Sequence, residues 1–123
     1  MSDKPVADRL QVKGERRLSV VDAPEGLDAA IGASDARARL ADADVVLVFV
    51  RDRRAFETSL PAVLHEAAPA AILWLAYPKL TSPHAGDLNR DILRAAVLTR
   101  GLDTVSQIAI DADWSALRLK RSG

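Results

Sequence analysis

Two stretches of this chain are apolar on both faces of an extended strand. One is residues 44–50 (DVVLVFV), apolar at every position after the aspartate, and the other is residues 71–76 (AILWLA). A strand with one wet face alternates apolar and polar residues. A continuous apolar run suits the middle of a parallel sheet covered by helices on each side. A third run, residues 17–23 (RLSVVDA), is rich in β-branched residues and predicts the first strand. It stops at Pro24-Glu25-Gly26, which suits both a turn and a helix start.

Helical spacing fills the gaps. Residues 5–11 predict one or two helical turns, with Val6 and Leu10 on one side and Gly14 as the break. Residues 27–31 predict a short helix ending at Gly32. Asp52 is a good N-cap, and Phe56, Leu60, Val63 or Leu64, and Ala67 recur at helical spacing behind it. Pro61 predicts a kink or restart there, because a proline inside a helix removes a hydrogen bond. Pro69 predicts its close. Asp87 reads as the N-cap of a helix over 88–99, with Leu88, Ile92, Ala95, Ala96 and Thr99 inward and Gly101 as the stop. Residues 35–43 are ambiguous, with a short edge strand at 37–40 as one reading.

The tail reads differently. Residues 104–110 and 114–120 predict two strands joined by the tight turn Asp111-Ala112-Asp113, an antiparallel hairpin added at the sheet edge. The whole order predicts one α/β domain over residues 1–123. It is three-layered and Rossmann-like, with a mostly parallel sheet of five or six strands and a C-terminal antiparallel hairpin.

Composition sets limits on function. Lysine plus arginine and aspartate plus glutamate both number 17, so the formal charge is zero. A nucleic-acid binder needs a basic face, and none is expected here. The clusters Arg51, Arg53, Arg54 and Arg118, Lys120, Arg121 read as solvated surface charge. There is no cysteine, which removes disulfides, thiolate metal sites and cysteine nucleophiles together. No apolar run reaches the roughly 18 residues of a membrane span. The opening MSDKPVADRL lacks the apolar core of a secretion signal, so the expectation is a cytoplasmic protein without a membrane partner.

Candidate chemistry collects after the central run. Residues 77–91 carry Tyr77, Lys79, Thr81, Ser82, His84, Asp87, Asn89, Arg90 and Asp91. In open α/β sheets ligands bind beyond the carboxyl ends of the strands, which is where this segment falls. The connection over 78–86 is also long beside the roughly two to six residues usual between a strand and a helix. Tyr77, Lys79, Asp87, Asn89 and Arg90 are therefore candidate ligand-binding residues, with Lys79, Asn89 and Arg90 suited to an anionic group. Lys79, if partly desolvated, can act as a base, an imine former or an anion clamp. The bland alternative is a capping Asp87, a locally paired Arg90 and a solvated Lys79. Arg51 ends the neighbouring strand and can take a carboxylate or phosphate bidentately. Glu25, after the first strand, can reach a hydroxyl-bearing ligand. His84 lacks the companions of a zinc site, so no metal is expected. Ser82 has no nucleophile elbow around it. No cofactor is named by these residues, and the glycine fingerprint GxGxxG is absent.

In combination, DVVLVFVRDR, ILWLAYPK, GDLNRDIL, and VSQIAID followed by WSALR resemble a family of small bacterial proteins classed as a domain of unknown function. The resemblance covers residues 10–119 and implies no particular reaction. More distantly, the strands, helix and hairpin over residues 44–120 are similar to the class I methyltransferase fold. That likeness implies a Rossmann-like scaffold and, as an activity, group transfer from S-adenosylmethionine (SAM). The sequence departs from it twice. The glycine loop after the first strand is missing, and only Asp35 stands near the place of the acidic ribose-binding residue. Three expectations result. The first is a domain binding a small anionic ligand. The second is a reduced methyltransferase-like enzyme. The third is an interaction module without catalysis, able to form a homodimer through the hairpin edge.

Overall fold

The computed structural model describes residues 5–121, so the reading of the first four residues lies outside it. The elements run α1 (Val6–Arg9), β1 (Leu18–Val21), α2 (Leu27–Ile31), β2 (Val45–Phe49), α3 (Arg53–Glu66), β3 (Ile72–Pro78), α4 (Arg90–Leu98), β4 (Leu102–Ala109) and β5 (Trp114–Arg121). The strands form one sheet in the order β1-β2-β3-β5-β4. β1, β2 and β3 are parallel neighbours, and β5 runs antiparallel to both β3 and β4. This is the expected Rossmann-like α/β sheet with a C-terminal hairpin. The hairpin does not simply extend the edge, however. Its second strand enters between β3 and β4, and β4 alone becomes the edge.

The runs apolar on both faces explain the layers. On β2, Val46 and Val48 face one side, and Val45, Leu47 and Phe49 face the other. On β3, Leu73, Leu75 and Tyr77 share the first face with Leu117 and Leu119 of β5. That face is covered by α3 through Phe56, Leu60 and Val63, and by α4 through Leu93 and Val97. Trp74 and Ala76 share the second face with Trp114 and Ala116, and Leu10 and Ile31 cover it. Trp74 also donates its indole N–H to the Leu10 carbonyl at 3.0 Å, which pins the end of α1 to the sheet. Burying a leucine or phenylalanine side chain in this way contributes roughly 1.5–3 kcal/mol.

Between β1 and β2 the chain goes round the sheet edge. Leu27 and Ala33 pack on the second face, while Ala38 and Leu40 pack on the first. At the edge itself a single residue, Arg37, pairs in parallel with Leu18. Here the expected short strand over 37–40 is corrected to one bridge between two 3-10 turns, Ser34–Ala36 and Leu40–Asp42. Arg37 is held by its side chain instead of a ladder. It donates to the Asp28 carboxylate at 2.6 Å and to the Gly32 carbonyl at 2.9 Å. The connection places Arg37 on one flank of β1 and β2 on the other, so the direction of winding switches at β1.

Two helix readings also change. α3 continues through Pro61 without a break. The carbonyl that proline leaves without a partner belongs to Glu57, an exposed residue that water can reach. α4 begins at Arg90 and not at Leu88, because Asn89, and not Asp87, caps it: the Asn89 Oδ1 accepts from the Ile92 N–H at 2.9 Å. The inward stripe therefore centres on Leu93 and Val97, with Ile92 and Ala96 beside them, while Ala95 and Thr99 are exposed. Arg94 ties α4 to β4 through Asp103 at 3.2 Å. The N–H of Thr104 and this guanidinium hold the Asp103 carboxyl below its ordinary range. Among the described residues no helix is long and apolar enough to cross a membrane.

Candidate functional site

The carboxyl ends of the strands carry two separate recesses. The larger is a cleft of about 390 Å³ beside the end of β3, on the face covered by α3 and α4. Tyr77, Lys79, Asn89 and Arg90 all line it, together with Gln107 of β4 and Ser115 of β5. Each is held by identifiable local chemistry. Tyr77 stands opposite Ser115 in the β3–β5 ladder. Its ring is buried, and its hydroxyl accepts from Gln107 Nε2 at 3.2 Å. Burial pushes the Tyr77 phenol above its ordinary value of 10.0, while the Arg90 guanidinium and the Ser115 hydroxyl pull the other way. The phenol is therefore neutral near pH 7.

Lys79 is drawn toward the hairpin turn. Its Nζ donates to the Asp111 carbonyl at 2.7 Å, and its backbone N–H donates to the Asp113 carbonyl at 2.8 Å. Asp111 builds that turn by accepting from the N–H groups of Asp113 and Trp114. Asn89 spends its carbonyl oxygen on the α4 cap, which leaves its amide N–H groups as its outward chemistry. Arg90 is exposed, and its side chain makes no hydrogen bond or ion pair among the described residues.

The other three candidates lie elsewhere. Asp87 caps α3: its Oδ1 accepts from the Arg53 N–H at 2.8 Å, across 34 positions of sequence. Asp52 caps the same helix through the Ala55 N–H. Arg51 lines the second recess, a crevice of about 170 Å³ between the ends of β1 and β2, with Asp22, Phe49 and Trp114. Phe49 and Trp114 meet edge to face there at 5.3 Å, and the His84 ring lies 6.3 Å from Trp114. Asp22 has a left-handed backbone (φ 59) and accepts from the Ser59 hydroxyl at 3.2 Å. Glu25 is exposed and lines neither recess.

Gln107 and Ser115 are cleft residues that the sequence pattern did not single out. One signal was present. WSAL at the start of the last strand does not alternate as an edge strand would, and it places a serine among buried neighbours. The cleft presents donors and cations. Arg90, Lys79 and the Asn89 amide line it, and no carboxylate does so among the described residues. Such a surface attracts an acceptor-only group such as an anion.

No family model matches this chain, and no curated protein matches its sequence. Solved structures match it in fold. A ribosomal protein L11 methylase from Lactobacillus delbrueckii subsp. bulgaricus matches over 96% of this chain, with a TM-score of 0.52 and 12% identity. LepI in complex with SAM matches over 95%, with a TM-score of 0.53 and 10% identity. A complex of DhpI with SAM and HEP matches over 86%, with a TM-score of 0.50 and 11% identity. The chain spans 63% of the methylase, 39% of LepI and 68% of DhpI. At these identities the likeness is one of fold: a Rossmann-like scaffold of the methyltransferase type.

Proposed function

We propose that this chain is a reduced methyltransferase-type domain that binds a small anionic ligand at the end of β3. One observation carries the reading. Among the described residues, Arg90 has no side-chain partner and lines a cleft with Lys79, the Asn89 amide and a neutral Tyr77, along which no carboxylate stands. A guanidinium offers two parallel N–H donors to a carboxylate or phosphate, and Asn89 adds a neutral donor beside it. Lys79 supports the loop and supplies positive field more than direct contact, since its ammonium already has the Asp111 carbonyl. In this reading Asp87 and Glu25 have no role in the ligand site.

The test is a binding titration of inorganic phosphate, acetate and other simple anions against the protein and Arg90→Gln. Binding to the parent that weakens at least tenfold in the variant is the expected result. Equal binding by both proteins removes Arg90 from the site, and no binding at all removes the reading.

A second reading, a SAM-dependent enzyme, is favoured by the fold match to a methylase and to SAM complexes. The residues present do not fit that cofactor. The crevice at the switch of winding measures about 170 Å³, below the roughly 300 Å³ at which small-molecule pockets begin. The turn after β1 has a single glycine, Gly26, at φ 85 as the N-cap of α2. On the outer flank of β1, where an acidic ribose partner would stand, the chain has Arg37 locked to Asp28. Asp35, the sequence candidate, is exposed in a 3-10 turn and offers its backbone carbonyl to Arg17. No step of chemistry is derived through SAM.

A further inference from the structure

The cleft by β3 has an apolar rim as well as a cationic wall. Leu80 lines it and is 69% exposed. An isolated surface leucine needs no explanation. This one, however, is held in position. Lys79 and Ser82 close a turn around it through the Ser82 N–H and Lys79 carbonyl at 2.9 Å. Ser82 is buried and accepts from the His84 N–H, and the Lys79 N–H is fixed to the hairpin turn. Leu80 and Thr81 are thus the tip of an anchored turn at the mouth of the cleft. The Tyr77 ring lines the same recess.

The two cations narrow the ligand further. The Lys79 ammonium is tethered to the Asp111 carbonyl but keeps its charge, while the Arg90 guanidinium has no acceptor among the described residues. Arg90 is therefore the group placed to grip the ligand directly, with Lys79 adding positive field. A carboxylate matches the planar fork of a guanidinium with two parallel hydrogen bonds and joins directly to a hydrocarbon, which the apolar rim at Leu80 suits.

Resting on the reading of this cleft as an anion site, we infer that its ligand is an amphipathic monocarboxylate, with its acid on Arg90 and its hydrocarbon chain or ring against Leu80 and Tyr77. Each methylene buried adds close to a fourfold gain in affinity, about the value of its transfer from water.

The experiment is calorimetric titration with linear carboxylates from acetate to decanoate, the matching alcohols, and inorganic phosphate. Each is run on the parent protein, Leu80→Ser and Arg90→Gln. Expected is an affinity that climbs with chain length and exceeds that of the alcohol of equal length at least tenfold. Leu80→Ser, at an exposed position that should leave the fold intact, flattens the climb, and Arg90→Gln removes the preference for acid over alcohol. If acetate and phosphate bind as tightly as octanoate and Leu80→Ser changes nothing, the amphipathic inference fails while the anion reading stands. If no anion responds to Arg90→Gln, both fail.

Discussion

Asp87 and Asn89 stand two residues apart and start two different helices. The first caps α3 from outside it, and the second caps α4 from its own N-cap position. Replacing an N-cap acceptor by alanine costs about 1 kcal/mol. Asp87→Ala should therefore lose about that much stability in urea unfolding and keep its affinity for cleft ligands. A loss of binding without loss of stability would return Asp87 to the site. Asn89→Ala should lose both, because it frees the first turn of α4 that carries Arg90. Local pattern places an aspartate before a helix and so assigns Asp87 to the nearest one. A carboxylate that reaches back 34 positions leaves no mark in local spacing.

The Tyr77 phenol gives a pH test at the same scale. Its folded-state pKa lies above the ordinary 10.0 because burial disfavours the phenolate. As pH rises past 10, the unfolded chain loses this proton first. Stability contributed by the neutral phenol is complete below that pH and declines as pH climbs through the folded value. Tyr77→Phe should thus show a shallower fall in stability between pH 9 and 11 than the parent, measured by urea unfolding at each pH. Parallel curves for the two proteins would refute the burial argument.

Among the elements, α3 and the hairpin show what pattern can and cannot carry. Hydrophobic spacing located α3 well, since Phe56, Leu60, Val63 and Ala67 are all buried as the period requires. What the pattern overstated was Pro61. The helix absorbs it where the orphaned carbonyl belongs to an exposed residue. Pro61→Ala restores that hydrogen bond but gives the unfolded chain more freedom, an offset of about 0.4–1 kcal/mol against an interior proline cost near 3. A net gain of about 2–2.6 kcal/mol is expected from these terms. Unchanged or lower stability would mean that the proline ring packs better than alanine can.

The hairpin was legible as two strands and a turn, but not as a strand insertion. Leu117 and Leu119 alternate with Arg118 and Lys120, which looks like an edge. The preceding four residues, Trp114 to Leu117, are all buried, because there β5 lies between β3 and β4. This insertion is what brings Ser115 and Gln107 to Tyr77. Two of the eight residues lining the cleft thus depend on strand order, which local periodicity does not encode.

For the whole molecule the choice is between an anion-binding domain on this scaffold and a SAM-dependent enzyme. The α/β class was readable from two runs apolar on both faces. The placement of ligand chemistry at the carboxyl ends was readable from the polar segment after the second run. The recess between β1 and β2 was not readable, because its size depends on how Phe49 and Trp114 pack across the sheet. That packing sets the room available there for SAM. To admit a nucleoside the crevice must roughly double toward the usual lower bound of about 300 Å³. Doing so requires separating an aromatic pair from the core of the second face and releasing Asp22 from Ser59. A ligand present at 100 times its dissociation constant adds about 2.7 kcal/mol of stability, which for a chain of this length raises the melting temperature by roughly 10 °C. SAM and its demethylated product should each leave the melting temperature unmoved at millimolar concentration. A carboxylate that fits the cleft by β3 should raise it, and only with Arg90 present. A rise of that size with SAM, undiminished in Arg90→Gln, would show that the crevice opens on demand, and the enzymatic reading would then take precedence over the anion site.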